Sequence, residues 1–365
     1  IYGDFTIHDG ETLNLTPPSS SFALTLVNLG SESATPYVIV NAGEVSIQNV
    51  PDIFGLVGVA LSNDTSNFDL RFSNTATGDF AVNGNFPQIG TIFAKGVIVR
   101  HFSNDGHFSV TSNNNATGVE IRHSGSTFWN TGDIDVTAAV SAVGVIVDPT
   151  TFGTTVFQNH GQINVAAGAN AEYAEGVRIN TPAQLTNSGT IRVTVDNIAV
   201  DGVAVMYDRQ INSSEILQIQ NLGLLEAEFA IIANTRTVVN NLATIHGKVR
   251  LSGQNDELHN QGTMVGDVDL GADNDLYDGA LGSLTGEVSG GQGNDTLLGG
   301  TGAETFRGGD GDDLMRGGAG GDVLDGGAGI DVAGYEVSAG AVAIDLLSAT
   351  ASGGDASGDN LTGIE

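Results

Sequence analysis

The sequence predicts an all-β fold, a right-handed parallel β-helix (β-solenoid) over most of its 365 residues. Three observations carry this. An Asn-x-Gly motif recurs between apolar residues from about Phe72 to Met264, and a series of short Gly-Val strands recurs beside it. The chain then runs into tandem glycine-rich nonapeptides, beginning with GGQGNDTLL at Gly290. A repeat of this length cannot bury its own apolar face, whereas stacked coils bury a continuous one.

The first series reads FSNDGHFSV from Phe102, FWNTGDIDV from Phe128, FQNHGQINV from Phe157 and LTNSGTIRV from Leu185. Weaker copies follow as IQNLGLLEA from Ile219, VNNLATIHG from Val239 and LHNQGTMVG from Leu258. Asn104, Asn130, Asn159, Asn187, Asn221, Asn241 and Asn260 thus recur at spacings of 26, 29, 28, 34, 20 and 19. Asparagine suits a sharp corner: it tolerates left-handed backbone, and stacked amides bond to one another and to corner backbone groups. The register held over seven copies argues against the alternative, turn asparagines in an antiparallel sandwich.

The second series is GVIV from Gly96, GVEI from Gly118, GVIV from Gly144, GVRI from Gly176 and GVAV from Gly202. Two alternating strands per period, separated by turn residues, mark a solenoid. Phe108, Ile134, Ile163 and Ile191 are expected to stack inward, as are Val110, Val136, Val165 and Val193 two residues on, because alternate strand residues share a face.

Charge is unevenly placed. The net charge is −31, and from Ser252 onward there are 21 acidic residues against two arginines. Such a surface repels nucleic acid and anionic membrane and attracts cations, so no nucleic-acid partner and no membrane insertion are expected. With Cys 0, disulfides, iron–sulfur clusters and thiolate zinc sites are excluded. No run of 18 apolar residues is present, and the first residues, IYGDFTIHDG, have no signal-peptide pattern. Since the chain stops at NLTGIE, it reads as a piece of a longer or processed protein.

From Gly290 the chain divides without gaps into GGQGNDTLL, GGTGAETFR, GGDGDDLMR, GGAGGDVLD and GGAGIDVAG. Five tandem matches to G-G-x-G-x-D-x-U-x form a specific signal. Over residues 286 to 365 the chain resembles the RTX (repeats-in-toxin) proteins of Gram-negative bacteria. The resemblance implies a calcium-binding RTX parallel β-roll, two nonapeptides per turn, into which the β-helix runs. GGxGxD is then the ion-binding turn and x-U-x the strand. Carried over residue by residue, the carboxylates are Asp295, Glu304, Asp313, Asp322 and Asp331. The turn glycines are Gly291, Gly293, Gly300, Gly302, Gly309, Gly311, Gly318, Gly320, Gly327 and Gly329, and the inward positions are Leu297, Phe306, Met315, Leu324 and Ala333. Several calcium ions are the expected cofactor: the ion is hard and takes carboxylates together with backbone carbonyls. Glu304 departs from the pattern, its extra methylene misplacing the carboxylate, and Ala333 fills its position poorly.

Aligning GKVRLSGQND from Gly247, GDVDLGADND from Gly266 and GEVSGGQGND from Gly286 adds Asp256 and Asp275 as metal candidates. Asp256, Asp275, Asp295, Asp313 and Asp331 then form one column, with calcium binding beginning before the repeats become regular, as wide coils shrink near Asn221. A second column is expected to hold Asp267, Glu287, Glu304 and Asp322. Without ions such carboxylates would sit about 4.8 Å apart and repel, so the ion-free form is expected to be disordered. Calcium is scarce in cytosol and roughly millimolar outside, in the range extracellular modules sense. The resemblance implies export by type I secretion. Of the later acids, Asp345, Asp355 and Asp359 are further candidates.

Parallel β-helices joined to RTX modules are similar to mannuronan epimerases, but the sole Asp-Pro, Asp148-Pro149, is followed by Thr150 where that family has His. His101, His107 and His123, with Arg100 and Arg122, make the best groove-like cluster and are read as a solvated row. H-E-x-x-H and G-x-S-x-G are both absent, against RTX metalloproteases and lipases. Four segments are expected: 1–35 a cap or strand donor, 36–265 the β-helix, 266–334 the roll, and 335–365 a truncated segment closing the RTX block. The function expected is a calcium-dependent extracellular or cell-surface structural protein, of a surface layer, filament or adhesin, self-associating end to end or laterally. The alternative is a protein acting on or binding cell-surface or matrix polysaccharide, lyase- or epimerase-like.

Overall fold

The computed structural model describes residues 5–7, 12–15, 24–25, 37–41, 44–48, 55–59, 70–77, 79–84, 93–122, 125–148, 154–181, 183–207 and 216–365. Two compact units are present, Ile1–Met206 and Tyr207–Glu365. Among the described residues every regular element is a strand except the 3-10 turn Gly354–Ala356. No helix among them is long and apolar enough to cross a membrane.

In the first unit each coil contributes three strands that pair in parallel with the coils before and after. His101–Asn104 lies between Leu70–Asn74 and Thr127–Asn130, with Asn104 opposite both Asn74 and Asn130. His107–Ser112 lies between Asp79–Gly84 and Asp133–Ala138, and Asn115–Ile121 between Phe93–Val99 and Ser141–Val147. Phe108, Ile134, Ile163 and Ile191 are in register and fully buried, as are Val110 and Val136, with Val165 and Val193 at most 5% exposed. Alternation thus sends the expected side chains inward. Phe72, Phe102, Phe128 and Phe157 stack along the same interior, with ring centroids 5.7, 5.2 and 4.2 Å apart. Aromatic stacking adds about 0.5–1.5 kcal/mol per pair to area burial.

The corner asparagines form a buried ladder. Nδ2 of Asn41, Asn74, Asn104, Asn130 and Asn159 each donates to Oδ1 of the next, at 2.7 to 2.8 Å, ending on Asn187. The remaining donor capacity of Asn104, Asn130 and Asn159 goes to carbonyls of their own and the next turn. Each amide from Asn74 to Asn187 therefore both gives and accepts, and a column of polar groups is buried at little cost.

Strands Phe5–Ile7, Thr12–Leu15 and Leu24–Thr25 pair in parallel with Tyr37–Asn41, Glu44–Gln48 and Gly55–Val59. The rest of the segment 1–35, expected as cap or strand donor, lies outside the described residues.

The second unit opens with the same device. Asn221, Asn241 and Asn260 continue the motif at 2.9 and 2.8 Å. Strands Leu217–Asn221, Thr237–Asn241, Glu257–Asn260, Leu276–Asp278, Thr296–Leu298, Leu314–Arg316 and Val332–Ala333 then follow as one parallel series. A facing series holds Val268–Ala272, Glu287–Gln292, Thr305–Asp310 and Val323–Ala328. Tyr277, Val288, Leu297, Phe306, Met315 and Leu324 fill the narrow space between, none more than 1% exposed. Ala333 is only half-buried at the expected fifth position. After a hairpin of Ala343–Asp345 with Thr350–Ser352, the strand Asn360–Thr362 returns in parallel to Val323–Ala328 and buries Leu361 over Leu324.

Candidate metal centres

The turns between these facing strands hold the expected carboxylates in two columns. On one corner Asp256, Asp275, Asp295, Asp313 and Asp331 stand in register. Oδ1 of each accepts a backbone N–H from the coil before: Thr237 to Asp256 at 2.6 Å, Asp256 to Asp275 at 2.7 Å and Asp275 to Asp295 at 2.8 Å. Asp295 likewise donates to Asp313 at 2.8 Å and Asp313 to Asp331 at 2.9 Å. The N–H of Asp331 goes to Glu365 Oε2 at 2.8 Å.

On the other corner, in chain order the place held by asparagine up to Asn260, the N–H of Glu304 donates to Asp322 and that of Asp322 to Asp359, at 2.9 and 2.8 Å. The expected second column is corrected at its start. Glu287 pairs with Thr305, one position off Glu304, and points outward to an ion pair with Arg307 at 2.6 Å. Asp267, which accepts the Glu287 N–H at 3.1 Å, is exposed in the same outward row, with Glu287 half-buried. A one-residue slip moves a strand side chain to the opposite face.

The second oxygens define the chemistry. Oδ2 of Asp256, Asp275, Asp295, Asp313, Asp322 and Asp331, and Oε2 of Glu304, are buried without a hydrogen-bond partner. All seven residues are at most 5% exposed. An unsatisfied charged oxygen is costly to bury. Loss of hydration is the first cause of the response: it pushes the carboxyls of Asp256 and Asp275 up to about 8, Glu304 to about 7 and Asp295 to about 6. It also raises Asp313 and Asp322, and column neighbours add repulsion.

The glycines make room for this. A Cβ on Gly290, Gly308 or Gly317 would collide with the second oxygen of Asp295, Asp313 or Asp322. This first glycine of each nonapeptide is a site residue that sequence reasoning passed over in favour of the second and fourth. Those have their own reason: Gly309 and Gly311 take φ of 119° and 133°, and Gly291, Gly293, Gly318, Gly320, Gly327 and Gly329 are also positive. Gly300 and Gly302, in the Glu304 turn, are not. Where the aspartates reach the preceding coil, Glu304 folds back against its own turn, with Oε1 beside Gly302 and Oε2 beside Gly299.

Of Asp345, Asp355 and Asp359, Asp359 alone joins a column. Its Oδ2 accepts the O–H of Tyr335 at 2.7 Å, and burial raises that phenol. Asp345 is exposed and tied to Ser348 and Leu347, which lower its carboxyl; Asp355 lies half-buried in the 3-10 turn.

Among the described residues no three His, Asp or Glu side chains converge on one point. A cation with six to eight oxygen ligands would therefore draw on turn carbonyls beside each carboxylate, a donor set that suits calcium. The groove-like residues are spread out. His101 pairs with Thr127 at 2.8 Å in one sheet, while His107 faces Asp135 at 3.6 Å in another. Arg122 bonds Glu120 at 2.6 Å. Asp148 is exposed, and His123, Pro149 and Thr150 lie outside the described residues.

Fold and columns together define the class: a parallel β-solenoid whose C-terminal turns hold columns of buried carboxylates. The family model of the RTX calcium-binding nonapeptide repeat matches residues 287–313 and 298–333, counted as four copies over the stretch that divides into five nonapeptides. Residues 287–333 are thus RTX calcium-binding nonapeptide repeats. No curated protein and no solved structure matches it.

Since Glu304 alone bends back on its own turn, Glu304→Asp is expected to extend the aspartate ladder. Calcium affinity at that turn should rise, on the order of tenfold (about 1.4 kcal/mol). Isothermal titration checks this, and an unchanged or weaker affinity would show that the longer side chain is the better ligand.

Proposed function

We propose that this protein is an extracellular structural solenoid whose C-terminal coils fold when calcium reaches them after export. It would serve as a component of a surface layer, filament or adhesin. The observation that carries the reading is the set of seven buried carboxylates, each with one oxygen lacking a partner. Asp295, Glu304, Asp313, Asp322 and Asp331 hold the ions, with carbonyls of the glycine turns. When bound, calcium supplies the positive charge that these oxygens lack. In cytosol, poor in calcium, the columns repel and the glycine-rich turns stay open; outside, at roughly millimolar calcium, they close.

Two further facts support the reading. RTX repeats typify proteins exported by type I secretion, and a chain with Cys 0 has no disulfide to stabilise it after export. Stacked coils also present strand edges that pair with further strands, so end-to-end or lateral self-association follows.

The test is far-UV circular dichroism with light scattering while calcium is titrated into chelator-stripped protein. Gain of β-structure with growth in particle size is expected. Gain of β-structure without growth would remove the self-association, and the absence of any calcium response would overturn the reading.

A further inference from the structure

We infer that the turns 251–256 and 270–275 form two further calcium sites, outside the matched repeats, and that Asp273 supplies a carboxylate to them. This rests on the reading of the matched turns as calcium sites. Neither turn has the GGxGxD motif: one reads Leu-Ser-Gly-Gln-Asn-Asp and the other Leu-Gly-Ala-Asp-Asn-Asp. The family match begins only at residue 287.

Register nonetheless makes them equivalent to the turn ending at Asp295. Leu251 pairs through its strand with Leu270, Val249 being opposite Val268, and Leu270 falls opposite Gly290 because Gly271 is opposite Gly291. The fourth turn position, Gly293 with φ of 123°, is Gln254 at 78° and Asp273 at 73° in these turns. Residues with side chains rarely take such backbone, so the calcium-turn path persists where its glycine does not.

The carboxylates point to a ligand independently of that path. Asp256 is 1% exposed and Asp275 3%, and Oδ2 of each has no partner. Nor does Arg236, the cation beside Asp256, fill the need: it is engaged by Glu257 Oε1 and the Asn255 carbonyl, both at 3.1 Å. Asp273 sits where the matched turns have no side chain at all. Its Oδ2 accepts the N–H of Gln254 at 2.9 Å, tying the two turns together and bringing a second carboxylate to each. Two carboxylates plus turn carbonyls make a donor set that suits a hard divalent cation.

The experiment uses the full chain, with bound calcium counted by equilibrium dialysis and amide hydrogen exchange followed region by region. In the unaltered protein, amides at 252–278 are expected to gain protection on calcium addition. A variant carrying Asp273→Asn and Asp275→Asn should bind at least one ion fewer and lose that gain, while amides at 296–333 keep theirs. Unchanged stoichiometry, or amides at 252–278 that ignore calcium while those at 296–333 respond, would overturn the inference and leave the matched sites standing. If neither region responds, the calcium reading itself fails. Because the double variant removes a buried group, Asp273→Asn alone serves as the second probe: its side chain is exposed, and a raised calcium midpoint confined to 252–278 is expected. An unmoved midpoint would remove Asp273 from the site.

Discussion

In chelator, lowering the pH from about 8 to about 5 restores β-structure to the coils that carry the two carboxylate columns. The sign follows from where the protons sit. In the folded chain Asp256 and Asp275 are pushed up to about 8, Glu304 to about 7 and Asp295 to about 6, whereas in the unfolded chain they titrate near 4. Between these limits the folded state binds more protons, so ion-free stability falls as pH rises from about 4 to about 8. Below that window both states are protonated; above it the full cost of bare buried carboxylates is felt. With calcium saturating, the slope reverses, because binding displaces those protons and acid competes with the metal. Circular dichroism against pH, with and without calcium, reads both slopes. Loss of β-structure toward acid in chelator would contradict the account.

Asp313→Asn separates the two states of the columns in one substitution. Its Oδ1 would still accept the Asp295 N–H, now at 2.8 Å, so the ladder is kept. The oxygen beside Gly308 that has no partner becomes a neutral amide nitrogen. In chelator the variant is expected to be more stable than the parent, since burying an amide costs less than burying a charge. In calcium it is expected to bind at least about tenfold more weakly, about 1.4 kcal/mol, because a charged ligand is gone. The two denaturation curves should therefore cross. A variant less stable under both conditions would mean that Asp313 serves packing alone.

Much of this was legible in the sequence, for a physical reason. Residues that stack coil upon coil must recur at the coil length, so Asn104 to Asn260 and Asp256 to Asp331 announced their columns by spacing. The failure at Asp267 and Glu287 has the same origin. The interval from Glu287 to Glu304 is 17 where the roll's period is 18, and that single residue turns the side chain outward. Asp359 was legible only as one of three acids, because it lies 37 positions after Asp322, its neighbour in the column. Tyr335, which completes Asp359, had no motif to mark it. The first glycine of each repeat was visible but its use was not, since only the folded turn shows an oxygen lying where its Cβ would be.

The asparagine ladder of the second unit has a kinetic meaning. Asn221, Asn241 and Asn260 bond to one another without help from any ion, each amide being donor and acceptor at once. A carboxylate only accepts, so the coils beyond Asn260 lack that self-sufficiency. In stacked repeats the first unit is the slow step and later units add to a finished edge. The coils around Asn221 and Asn241, ahead of the first carboxylate turn, are therefore expected to be the seed on which the calcium-bound coils grow. Growth from it is then expected to proceed coil by coil, in the direction in which the chain was made.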